Sequence, residues 1–158
     1  EGHNPNLPKL SKGPDRLVKI IQHYKEKKDN KILVILSGKR RDFLINELDK
    51  LGINYLYKEM VDLKTVNELY NVLDLYIVSS RFEGGPQSVL ECAITKTPII
   101  STDVGLASSV LSSSSIFDMN NYKIAVPDTN YAYKRVEDFK LIKSMPRYIK
   151  MLEYAFES

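Results

Sequence analysis

The sequence is poor in the residues that carry redox and metal chemistry. It has 1 cysteine, Cys92, and 2 histidines, His3 and His23. One cysteine excludes an intramolecular disulfide framework, and a lone thiol with two remote histidines has no metal-ligand spacing. No apolar run approaches the roughly 18 residues that a bilayer span needs, and no secretory leader pattern opens the chain. The net charge of +3 is too slight to argue for nucleic acid, and the 10 tyrosines are scattered singly rather than interleaved with a basic stripe. These absences lead to the expectation of a reducing, cytoplasmic setting and no nucleic-acid partner. There are no internal repeats.

What is present is the composition of a globular domain: 158 residues, 43% hydrophobic and 27% charged, enough to bury a core without staples. Residues 1–13 read as loop, with Pro5, Pro8 and then Pro14 punctuating them. A domain of this kind normally opens with a strand, so the expectation is a piece of a longer protein. Leu17, Ile20, Ile21 and Tyr24 mark one face of a helix that Pro14 is suited to start. The run 31–37 is short, apolar and β-branched, as a strand buried on both faces would be. A helix follows from about Arg41 and stops at Gly52, which suits a left-handed cap. A short strand over 53–59, a helix over 63–72, a strand over 73–80, a helix from Pro86 and a strand over 97–103 complete the alternation. From Ser108 the pattern weakens into serine-rich loop with two short apolar segments, Ser115–Phe117 and Ile124–Val126. Helical spacing returns over 136–158, as two helices or one kinked at Pro146.

Alternating strands and helices imply a doubly wound, Rossmann-like parallel sheet with helices on both faces, here one domain over 1–158. Ligands of such sheets lie outside the carboxyl ends of the strands. That rim carries Gly38, Tyr57 to Glu59, Ser79 to Gly85 and Thr102 to Gly105. At its centre a strand feeds the turn Gly84-Gly85, which feeds a helix N-terminus, an anion site by construction of its free N–H groups. Glu83 and Glu91 bracket this turn, and a carboxylate reads hydroxyls well because it accepts several hydrogen bonds. The plainer reading is that Glu83 complements the helix dipole and Glu91 is a surface residue. Lys39, Arg40 and Arg41 are either phosphate contacts or a solvated face. Asp103 is expected to shape its turn through side-chain to backbone hydrogen bonds, and Cys92 to be a small buried residue.

The stretch SSRFEGGPQSVLECAITKTPIISTDVGLA resembles the donor-binding core of the retaining glycosyltransferases of family four, which have the GT-B fold. The match runs through Ser80, Glu83, Gly84, Pro86, Glu91, Ala93, Pro98, Thr102, Asp103 and Gly105, and upstream through Lys12, Gly13, Asp15 and Leu17. The resemblance implies the C-terminal half of a GT-B enzyme that moves a sugar from a nucleoside diphosphate to an acceptor in glycan or polysaccharide assembly. Lys12 and Glu83 would be its catalytic residues. Lys12 would lie against the diphosphate, and backbone N–H groups around Gly84, Gly85, Gln87 and Ser88 would cradle phosphate or donor sugar. Glu83 would contact the transferred sugar, Glu91 the ribose, and the base would rest near Tyr57 and Lys58. No metal or other cofactor is expected, since a lysine and a helix N-terminus can carry the leaving charge.

The sequence departs from the family in two ways. The arginine expected upstream of Lys12, near Leu7, is missing, and Lys9 brings charge without guanidinium geometry. The acceptor-binding domain is not among these residues, so the expectation is a fragment inactive alone, partnered by that domain and through it by the cytoplasmic membrane surface. The alternative is a non-enzymatic doubly wound nucleotide-binding or scaffolding module.

Overall fold

The computed structural model describes residues 8–29 and 31–157. His3 and the Leu7 position of the missing arginine lie outside them. The first helix, α1, spans Pro14–Lys27, with Gly13 as its N-cap and Pro14 in its first turn. There the ring replaces an N–H that has no helical partner. Strand β1 (Val34–Ser37), helix α2 (Asp42–Lys50) and strand β2 (Tyr55–Lys58) follow. Gly52 adopts φ +59 beyond the end of α2, the left-handed stop its position predicts. Helix α3 (Leu63–Val72) is capped by Asp62, whose Oδ1 accepts from the Thr65 N–H at 2.7 Å.

Strand β3 (Tyr76–Val78), helix α4 (Gln87–Thr95) and strand β4 (Ile99–Thr102) form the central unit. Pro86 is the N-cap of α4 rather than its first residue. The short helix α5 (Ala107–Val110), strand β5 (Ile116–Phe117) and helix α6 (Thr129–Val136) complete the packed body. Among the described residues Ile124 ends a turn of 3-10 helix rather than forming a strand. The last helix, α7, runs Leu141–Glu157 with Pro146 inside it, one helix rather than two.

Every strand pair is parallel, as the alternation requires. The hydrogen-bonded ladder falls into two pieces: β1 pairs with β2 from Val34 opposite Tyr55 to Ser37 opposite Lys58, and β3, β4 and β5 form a second sheet in that order. Helix α1 joins the two by packing. Ile20 is buried with Ile100 and Phe117, over the β4–β5 side, while its neighbour Ile21 is buried with Leu36, Leu44, Leu48 and Ile53, over β1 and β2. On a helix, adjacent residues point about 100° apart, so one element reaches both clusters. The opposite face of β3 and β4 is covered by α3, α4, α5 and α6, with Val78 and Ile99 packed against Val89, Cys92, Ala93 and Val136. β4 is buried along its whole length, with the polar Ser101 and Thr102 as well as Ile99 and Ile100 enclosed, as a central parallel strand covered on both faces requires. Among the described residues no helix is long and apolar enough to cross a membrane.

Candidate functional site

The rim at the end of β3 is built by an interlock between the chain's opening loop and the strand end. Ser79 and Ser80 are both buried. The Ser79 hydroxyl lies within donating distance of the Gly13 carbonyl at 3.0 Å and the Lys12 carbonyl at 3.2 Å. Gly13 sits at φ +61, and a Cβ there would lie 2.0 Å from the Ser79 carbonyl oxygen. Only glycine permits this approach. The Arg81 N–H donates to the Ser11 carbonyl at 2.7 Å. Its guanidinium donates to the Leu10 carbonyl at 2.8 Å and, bidentately, to Asp15 at 2.8 and 2.7 Å. The guanidinium hydrogen bonds hold the Asp15 carboxyl below its ordinary value.

This clamp delivers Lys12 to Glu83, with which it forms an ion pair. The two residues singled out for catalysis therefore meet. Partial burial, with the like charges of Lys9 and Arg41, pulls the Lys12 ammonium pKa down, while its pairing with Glu83 acts in the opposite sense. Glu83, Gly84 and Asp103, with Phe82 and Gly105, line an open cavity of about 560 Å³.

A second support comes from behind. The Thr102 hydroxyl donates to the Ser80 carbonyl at 2.7 Å, and Gly105 lies so close to the glycine turn that a Cβ would be 2.6 Å from the Gly84 oxygen. The turn of Gly105 is closed by the Val104 N–H to Thr102 carbonyl bond at 2.9 Å. Asp103 is exposed and lines the cavity. Gln87 and Ser88 open α4 directly after this turn, so their N–H groups are among those without helical acceptors.

The remaining expected residues fall into separate contacts. Glu91 is half-buried and accepts a hydrogen bond from the Tyr70 hydroxyl at 2.7 Å; it is not the freely exposed helix residue of the plainer reading. Tyr57, at the end of β2, donates to the Gly38 carbonyl at 3.3 Å, and Lys58 beside it is exposed. Lys39 and Arg40 are exposed, whereas Arg41 turns back so that its Nε donates to the Ser37 carbonyl at 2.7 Å. The basic run thus divides into two solvated residues and one held at the rim. Cys92 is fully buried, and burial raises its thiol pKa strongly. Among the described residues no group of three or more His, Cys, Asp or Glu is arranged to hold a metal ion. Sequence reasoning missed Arg81 and Tyr70. Arg81 stood inside the motif without a partner in view, and nothing in the spacing linked Tyr70 to Glu91.

Residues 7–151 match the model of the family described as glycosyl transferases group 1. The chain belongs to this family. Its fold is that of the GT-B glycosyltransferases, as solved members show. A TarM variant from S. aureus, in complex with UDP among other ligands, superposes with a TM-score of 0.72 at 18% identity, over 96% of this chain and 34% of that one. HepE from Anabaena, in complex with UDP-glucose, gives 0.70 at 15% identity, over 93% and 46%. The catalytic domain of cholesterol-α-glucosyltransferase from Helicobacter pylori gives 0.59 at 22% identity, over 91% of each chain. The chain spans about a third of the length of the S. aureus protein. No curated protein sequence matches it significantly.

Proposed function

We propose that this glycosyltransferase domain binds a nucleoside-diphosphate sugar at the β3–α4 rim and serves a retaining, metal-independent sugar transfer to an acceptor bound by another part of the enzyme. The observation that carries the reading is the Lys12–Glu83 pair at the mouth of the cavity, beside the first turn of α4. Heterolytic cleavage of the bond between the sugar and the diphosphate leaves the bonding electron pair, and with it one further negative charge, on the terminal phosphate of an already anionic leaving group. A lysine and the free N–H groups of Gln87 and Ser88 oppose that charge without a metal. A diphosphate arriving there competes with Glu83 for Lys12. The carboxylate so released accepts hydrogen bonds from hydroxyls of the sugar.

In this reading Glu91, one and a half turns into α4, takes the ribose hydroxyls, and Tyr57 and Lys58 the base. The UDP and UDP-glucose complexes of the S. aureus and Anabaena proteins support a nucleotide-sugar ligand of this class. We assign the whole enzyme to hexosyl transfer in glycan or surface polysaccharide assembly. A thermal-shift series with UDP- and GDP-sugars tests the binding step. A stabilisation by one of them, largely removed by Glu91→Ala, is expected. No shift with any nucleotide sugar at millimolar concentration would overturn it.

A further inference from the structure

Glu91 sits on a helix face where a free carboxylate would sample several rotamers, yet its Oε2 is held by the Tyr70 hydroxyl at 2.7 Å. The donor is itself fixed. Tyr70 is only 9% exposed, part of the apolar cluster with Val89, Cys92 and Ala93. Its ring lies 5.6 Å from that of Tyr76. Its backbone carbonyl accepts from the buried Thr97 hydroxyl at 2.7 Å. Thr95, whose Oγ1 is 2.7 Å from that of Thr97 and 2.8 Å from the Glu91 carbonyl, ties the end of α4 to the same point. Both ends of the Tyr70–Glu91 contact are therefore anchored to the start of β4. Burial, then the bond to Glu91, raises the Tyr70 phenol pKa far above its usual value. The phenol therefore keeps its proton and donates it to the Glu91 carboxylate.

We infer that Tyr70 is a positioning residue for nucleotide recognition: it occupies one carboxylate oxygen of Glu91 and aims the other at the ribose hydroxyls. The role rests on the donor-binding reading given above. A carboxylate held in one rotamer loses less side-chain freedom when a diol arrives, so ribose contacts made by Glu91 are stronger than those of an unrestrained glutamate. Tyr70 touches no substrate. Its contribution appears as discrimination for ribose hydroxyls, not as a general loss of binding.

The test titrates the full chain with UDP, GDP and ADP and with their 2′,3′-dideoxy counterparts. In the wild-type protein, loss of the ribose hydroxyls is expected to weaken the preferred nucleotide by about tenfold or more, the scale of hydrogen bonds to a charged group. In Tyr70→Phe, which keeps the ring and its packing, that ratio falls to about threefold or less, while the dideoxy nucleotide binds as it does to wild type. Glu91→Ala abolishes the ratio, and adding Tyr70→Phe to it changes nothing further. Wild-type discrimination that survives intact in Tyr70→Phe overturns the role of Tyr70 and leaves the donor site standing. A wild-type protein that binds none of the nucleotides overturns both. A merely structural role for Tyr70 lowers the melting temperature and weakens both nucleotides equally, which also refutes the inference.

Discussion

Gly13→Ala is the sharpest probe of how Lys12 reaches the site, because the same substitution at Gly52 supplies its control. Both glycines are left-handed, at φ +61 and φ +59. Forcing alanine into that region costs about 1–2 kcal/mol. At Gly52 nothing lies within 4 Å of the added Cβ, so that cost stands alone. At Gly13 the Cβ would lie 2.0 Å from the Ser79 carbonyl oxygen, a backbone atom that cannot rotate away. Overpacking of this kind adds about 1–3 kcal/mol. The expected destabilisation is therefore about 1–2 kcal/mol for Gly52→Ala and about 2–5 kcal/mol for Gly13→Ala. For a domain of this size those figures correspond to about 5 °C and about 10 °C in melting temperature. Urea denaturation of both variants gives the free energies, and a nucleotide-sugar thermal shift reports the site. Relief of the clash moves the loop that carries Lys12, so Gly13→Ala also loses the donor-induced stabilisation that Gly52→Ala retains. Equal destabilisation by the two, or an unchanged donor response in Gly13→Ala, refutes the interlock between the opening loop and β3.

Other outcomes follow from the same geometry. Arg81→Met removes the bidentate bond to Asp15 and the bond to the Leu10 carbonyl; since both partners are partly exposed, the stability loss is about 1 kcal/mol, with donor affinity falling through a looser Lys12. The Asp15 carboxyl is held below its ordinary value of 3.8 in the folded chain, so its stabilising pair is present above that value and lost as pH falls through the folded one. Acid titrations of stability should show wild type losing more than Arg81→Met below about pH 4. Cys92 is fully buried with its thiol pKa raised, so a thiol reagent should label the native chain slowly and the urea-unfolded chain at once. Ile100→Ala, at a fully buried position on β4, should cost about 2–5 kcal/mol by equilibrium denaturation.

The parts of the molecule that were legible in the sequence are those where one residue's neighbours in the chain are also its neighbours in space. The strand β4, the stop at Gly52 and the strand–turn–helix around Gly84 are of this kind. The family motif assigned Lys12 and Glu83 to one donor site, but not the ion pair between them. The reasons behind the motif were hidden. Gly13 stood in the motif only as the neighbour of Lys12, and its close approach to Ser79 belongs to two segments far apart in the chain. Tyr70 reaches Glu91 across two helices, a contact that no periodicity encodes. Helix α6 was missed because only Ala132 and Val136 of its residues are buried, too thin a stripe to register as amphipathic. The division of the ladder into two sheets was equally invisible, since packing by Ile20 and Ile21 of α1, not strand pattern, joins them.

Titration of the isotopically labelled chain with UDP-glucose, followed by backbone amide shifts, tests the central claim most directly. The account predicts that the largest saturable changes fall on Lys12, Gly84, Gly85, Gln87, Ser88 and Glu91, and that Lys12→Ala abolishes them. Changes confined to other surfaces, such as the loop around Ser112 and Tyr131, or no saturable change with any nucleoside-diphosphate sugar, would contradict it.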